Sequence, residues 1–141
     1  MANEVTIVSS LRIVTGNLIY QSQPTAFSAA MTGSKGPTPG AISVPIGGVA
    51  VTFGELITPG FCRLMNLDAT NYVEYGIRDP GINVFYPLGE ILPGESFILR
   101  LSRNLLEEYT GTGTGTTSTG NQFWLKANTA TCYIVVEAFE K

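Results

Sequence analysis

The side chains whose types and spacing could do chemistry in this chain are few. Glu55, Asp68, Glu74, Asp79, Glu90 and Glu95 are the candidates for paired carboxylates, and glycoside hydrolysis needs only two acids about 5 to 9.5 Å apart across a groove. Against that role, Asp68 and Asp79 fall in turns, and Glu90 and Glu95 flank Pro93-Gly94, where an acid is ordinarily solvated or caps a backbone amide. The sequence contains no histidine, which removes the commonest general acid/base and the commonest metal ligand. Ser-His-Asp, Cys-His and His-metal mechanisms are closed. Cys62 and Cys132 stand seventy residues apart in apolar, strand-like runs. They read as reduced, buried thiols rather than a disulfide or a redox pair, since a reactive thiolate needs an electropositive neighbourhood. These residues predict no catalytic set, no metal site and no cofactor.

Other candidate sites are equally thin. The Gly111-Thr112-Gly113-Thr114-Gly115 run looks superficially like a phosphate loop. A phosphate cradle needs a preceding strand, a following helix and usually a lysine, and the next lysine is Lys126 inside a strand. The stretch 110–121 therefore reads as a flexible surface loop. Lys and Arg number 8, are scattered singly and leave a net charge of -3, so nucleic acid is a poor partner. Most aromatics sit on predicted strands and belong to a core. Trp124, Tyr109 and Tyr86 are the exposed subset that could contact a partner protein or stack on a sugar.

These residues must be positioned by β structure. A chain of 141 residues suits one domain over 1–141 with a core that needs no staples. Pro-Gly occurs at 39–40, 59–60, 80–81 and 93–94, and the pair suits the centre of a type II turn. Between such turns lie runs of alternating polarity rich in β-branched and aromatic residues. Val5 to Val14 reads as a strand, Thr15-Gly16-Asn17 as a turn and Leu18 to Gln21 as the hairpin return. Thr25 to Met31 reads as strand and Thr32 to Gly40 as loop, with Ile42 to Val44 and Val49 to Phe53 as strands. Phe61 to Asn66 and Asn71 to Ile77 read as a hairpin joined by Leu67 to Thr70, where Asn66 and Asp68 can bond nearby amides. Asn83 to Pro87, Glu95 to Leu101, Phe123 to Ala127 and Thr131 to Phe139 complete the set, the last apolar on both faces and so central. No helical period is sustained, and strands recur every 8 to 12 residues or so. The expected fold is an all-β, antiparallel, jelly-roll-like sandwich.

Composition adds a constraint on the surface. Only 13% of residues are charged, where about 25% is ordinary, so much of the surface is expected to be covered by copies or neighbours. The longest apolar stretch, Ala41 to Phe53, is broken by Pro45 and Gly47-Gly48 and is too short for a membrane span. The opening Met-Ala-Asn-Glu lacks the features of a signal peptide, so a protein made and used without export is expected.

From Thr58 onward the chain is similar to a group of small virion structural proteins of tailed bacteriophages. Three segments carry the resemblance: Asn66-Leu67-Asp68-Ala69-Thr70-Asn71-Tyr72-Val73-Glu74 after Thr58-Pro59-Gly60; Leu92-Pro93-Gly94-Glu95 running into Leu99-Arg100-Leu101; and Leu125 to Cys132 with its apolar tail to Glu140. The Gly-Thr loop and the segment Arg78 to Pro87 are longer than the family pattern. The resemblance implies a non-enzymatic β-sandwich located in the virion, assembling as a homo-oligomer, with a trimer favoured, on the capsid, neck or tail. A capsid decoration or cement protein bound to the major capsid protein is the leading expectation. A carbohydrate-binding module using Trp124 is the alternative from another class.

Overall fold

The computed structural model describes residues 4–31, 33–102, 105 and 122–140. It divides into two compact units, Met1–Gly33 and Ser34–Lys141. The sandwich expected over residues 1–141 is built by the second unit, and the first is a two-stranded arm.

In the arm, β2 (Arg12–Thr15) and β3 (Leu18–Gln21) form a hairpin around Gly16-Asn17. Flanking them, β1 (Val5–Ser9) pairs antiparallel with β4 (Thr25–Ala29). The expected single strand Val5 to Val14 is thus interrupted at Ser10-Leu11. Opposite the break lies Pro24, which has no N–H to give the ladder, and Ser22 fills in: its amide donates to the Leu11 carbonyl at 2.8 Å and its Oγ accepts from the Leu11 amide at 2.8 Å. Pairing registers on the two sides of the break differ by one residue.

Among its described residues the second unit holds eight strands in two four-stranded antiparallel sheets. They are β5 (Thr38–Val44), β6 (Val49–Ala50), β7 (Pro59–Asn66), β8 (Val73–Asp79), β9 (Val84–Ile91), β10 (Ser96–Arg100), β11 (Gln122–Ala127) and β12 (Cys132–Glu140). One sheet has the order β10-β7-β12-β5 and the other β6-β11-β8-β9. Strands pair as β8 with β9, β7 with β10, β6 with β11 and β5 with β12, as if the chain folded in half between β8 and β9. The doubled ribbon then closes through β12–β7 and β11–β8. This is the eight-stranded jelly roll.

Alternation decides which side chains fill it. In β12, Cys132, Ile134, Val136 and Ala138 are buried, and in β7 Cys62, Leu64 and Asn66 are buried. Facing them from the second sheet are Val73, Ile91, Phe123, Leu125 and Ala127. As expected, β12 is central. Two local expectations fail. The segments Phe61 to Asn66 and Asn71 to Ile77 are not hairpin partners but belong to different sheets, because β7 takes its neighbours β10 and β12 from later in the chain. Of the four Pro-Gly pairs, Pro93-Gly94 makes the expected type II turn, with Gly94 at φ 74° and the Glu95 amide donating to the Leu92 carbonyl at 3.0 Å. Pro39-Gly40 instead lies inside β5 and Pro59-Gly60 opens β7.

Candidate functional site: polar turn, aromatic face and open apolar surfaces

The segment from Asn66 to Asn71 is a hydrogen-bonded turn. Asn66 is fully buried; its Nδ2 donates to the Asn71 carbonyl at 2.8 Å and the Ile91 carbonyl at 3.1 Å, and its Oδ1 accepts from the Asp68 amide at 2.9 Å. Asp68 Oδ1 accepts from the Thr70 and Asn71 amides at 2.8 and 2.7 Å. Thr129 Oγ1 ties in the loop before β12 by donating to Asn71 Oδ1 at 2.6 Å. The expected bonding of Asn66 and Asp68 to nearby amides is what the structure has, and every group serves the turn.

The two backbone amides hold the Asp68 carboxyl below its usual value of 3.8. A carboxylate with a depressed folded value adds stability above the unfolded value and loses it as pH falls through the folded one. In thermal melts from about pH 6 to about pH 2, Asp68→Asn is expected to show a flatter acid limb than the wild type. Equal acid limbs would remove Asp68 as a contributor.

Both thiols are free and buried, as expected. Burial, reinforced by Glu137, pushes Cys62 up to about 12, and burial followed by Asp68 also raises Cys132. Neither is poised as a nucleophile. Glu137 itself accepts from Arg63 across β7 and β12 at 2.8 Å on a half-exposed face, a contact worth about 0.2–1 kcal/mol.

The three aromatic candidates are not brought together. Trp124 lies on β11 opposite Gly76 and Ala50 and is half-buried. The Arg78 guanidinium sits 4.3 Å from its ring centroid, Asn83 accepts from that guanidinium, and the indole nitrogen packs against Gly48. One face of the ring is thereby occupied by a cation. Tyr86, 50% exposed on the edge strand β9, is in register with Ile77 and Phe123, the row next to that of Trp124, and so on the opposite face of the sheet. Tyr109 and the stretch 110–121 lie outside the described residues.

Among the acids, Glu74 and Glu90 are direct cross-strand partners, with Lys126 beyond Glu74 in the same row. They line an open hollow with Pro87, Leu88 and Gly89 whose volume is about 260 Å³. Ligand pockets run from about 300 to about 1,000 Å³ and enclose most of the ligand, so this shallow dish offers little to hold a sugar.

Among the described residues the most extensive exposed side-chain surface is apolar. Every residue of β2 and β3 is exposed. Eight large apolar side chains of the arm are 38% to 76% exposed: Val8, Leu11, Ile13, Val14, Leu18, Ile19, Tyr20 and Phe27. A second apolar surface follows the flank where the edge strands β9 and β10 meet. Tyr86, Leu88, Phe97 and Ile98 are exposed there, and Tyr75 of β8 stacks on Phe97 with centroids 5.7 Å apart. The arm was legible in outline, since Ile13-Val14 and Leu18-Ile19-Tyr20 are consecutive apolar residues, and a two-stranded hairpin with apolar residues on both faces has no interior of its own. Comparison with protein-family models, curated proteins and solved structures found no match to this chain.

Proposed function

We propose that this chain is a non-enzymatic structural component of a tailed-bacteriophage particle, a decoration or cement protein that binds the major capsid protein and bridges neighbouring capsomers. The observation that carries the reading is the exposed apolar arm, in a chain only 13% charged. Exposed apolar surface on that scale marks an interaction site, and an assembly is where it is covered. The resemblance of the Asn66-to-Glu74 segment supplies the kind of assembly. The jelly roll supports the same reading, because viral capsid domains are among the proteins built on it. Function on this reading is mass action. A protein that binds only the assembled shell stabilises it by RT ln(1 + [L]/Kd) per site.

Quantitative mass spectrometry of purified particles tests the proposal. The expected result is a copy number comparable with that of the major capsid protein. A few copies per particle would move the chain to the neck or tail, and absence from the virion would end the structural reading. The carbohydrate-binding alternative loses ground to the Arg78 cation over Trp124, which takes a ring face that a sugar would stack on.

A further inference from the structure

We infer that the arm, residues 5–29, docks on the β9–β10 flank of a second copy of this chain, covering its own apolar side chains and theirs and adding strands to open edges. The inference rests on the reading of the chain as an assembly component and names one partner in that assembly.

The arm cannot account for its own order. A lone two-stranded hairpin is marginal in water at best, and this one places Ile13, Tyr20 and Leu18 on one face and Val14 and Ile19 on the other, all exposed. The sandwich closes its core with its own residues, from Val44 to Ala138. Its edge strands are β5, β6, β9 and β10, and the exposed Tyr86, Leu88, Phe97 and Ile98 lie on the flank of the last two. There β9, eight residues long, and β10, five residues long, each pair on one side only, and an unpaired edge is a template for another strand. The two surfaces match in character. Within residues 5–29 the arm carries a single charged side chain, Arg12, and the flank carries Glu90, Glu95 and Arg100. Neither suits a highly charged partner.

Size also fits. The ribbon from Val5 to Thr15, at about 3.3 Å per residue and roughly 10 Å across two strands, is about 35 Å long, so each face presents about 350 Å². A stable interface takes about 800 Å² from each partner, and reciprocal exchange, in which each copy gives an arm face and a flank of matching area, comes close to it at about 700 Å². Because every chain supplies one arm and one flank, a closed exchange leaves neither uncovered.

Full-length protein in sedimentation and light-scattering measurements tests this. Wild type is expected to be oligomeric, and Ile19→Lys on the arm and Leu88→Arg on the flank are each expected to weaken association about tenfold or more. Both side chains are exposed, 76% and 68%, so circular dichroism should show the fold retained. Mixing the two variants should restore part of the association, because one intact arm then meets one intact flank. A monomeric wild type, or an oligomer indifferent to Ile19→Lys, would overturn the inference. An oligomer sensitive to Ile19→Lys alone would overturn the flank as the receiving surface. Detection of a monomeric chain in particles would leave the virion reading standing while sinking the exchange, and the converse pair of results would do the opposite.

Discussion

Asn66→Ala is expected to destabilise the sandwich by about 2–4 kcal/mol, a fall in Tm on the order of 10 °C. The side chain is fully buried and makes three hydrogen bonds: two donated to the Asn71 and Ile91 carbonyls and one accepted from the Asp68 amide. A typical hydrogen bond contributes about 0.5–1.5 kcal/mol net, but a buried group left without a partner costs about 1–3 kcal/mol. Ile91 is 0% exposed, so water has poor access to its carbonyl once Asn66 is gone, whereas Asn71 and Asp68 are partly exposed and can recruit solvent. Asn66→Asp keeps an acceptor for the Asp68 amide but points a carboxylate at two carbonyls, and is expected to cost at least as much. Equilibrium denaturation measures both variants. A loss below about 1 kcal/mol for Asn66→Ala would mean that solvent replaces the network.

That turn shows what the sequence could and could not disclose. Asp68 and two of the three Asn66 bonds act within five residues, so type and spacing suffice to assign that local bonding, while the bond from Asn66 to the Ile91 carbonyl reaches a distant strand. The same segment was read as a hairpin connection, and there the reading failed. Whether β7 continues into a neighbouring strand or crosses to the other sheet depends on β10 and β12, whose residues lie 30 to 80 positions later. Alternation located the strands because burial of one face is a local pattern, but pairing is a competition among distant segments. The Pro-Gly pairs divide along the same line. Pro93-Gly94 has short-range control of its turn, while Pro39-Gly40 is drawn into β5 by pairing with Glu137 and Val136 of β12.

The candidate site follows the same logic. Trp124 was a reasonable choice for an exposed aromatic, and what covers its ring is Arg78, from the neighbouring strand β8. No local pattern around Trp124 announces that cation. The arm lies at the other extreme. Its apolar residues on both faces are visible in the sequence, and a two-stranded ribbon has no interior to bury them. The low charge points to covered surface, and the exposed apolar side chains of the arm are the ones such a cover would bury.

Gly76→Ala is expected to cost about 1–3 kcal/mol through overpacking between β8 and β9. Register runs Tyr75 to Gly89 and then Gly76 to Pro87, so Leu88 is the extra residue of a β-bulge and projects 68% exposed. The bulge brings the β9 backbone over Gly76, where a Cβ would strike the Tyr86 carbonyl oxygen and crowd the Pro87 Cα. Backbone atoms in a paired strand cannot rotate aside, so β9 must shift outward and loosen the pairing of Gly76 with Pro87. Gly89→Ala supplies the contrast. The atoms nearest its Cβ would be the ring and hydroxyl of Tyr75, a side chain that can swing away at the expense of its stacking on Phe97, and such aromatic pairs are worth about 0.5–1.5 kcal/mol. Gly76→Ala should therefore be the more destabilising of the two and should speed hydrogen exchange of amides along β8 and β9, while Gly89→Ala should mainly change the aromatic near-ultraviolet signal. Equal costs, or exchange in β9 unmoved by Gly76→Ala, would mean that the close approach of the two backbones is not what holds this edge in register.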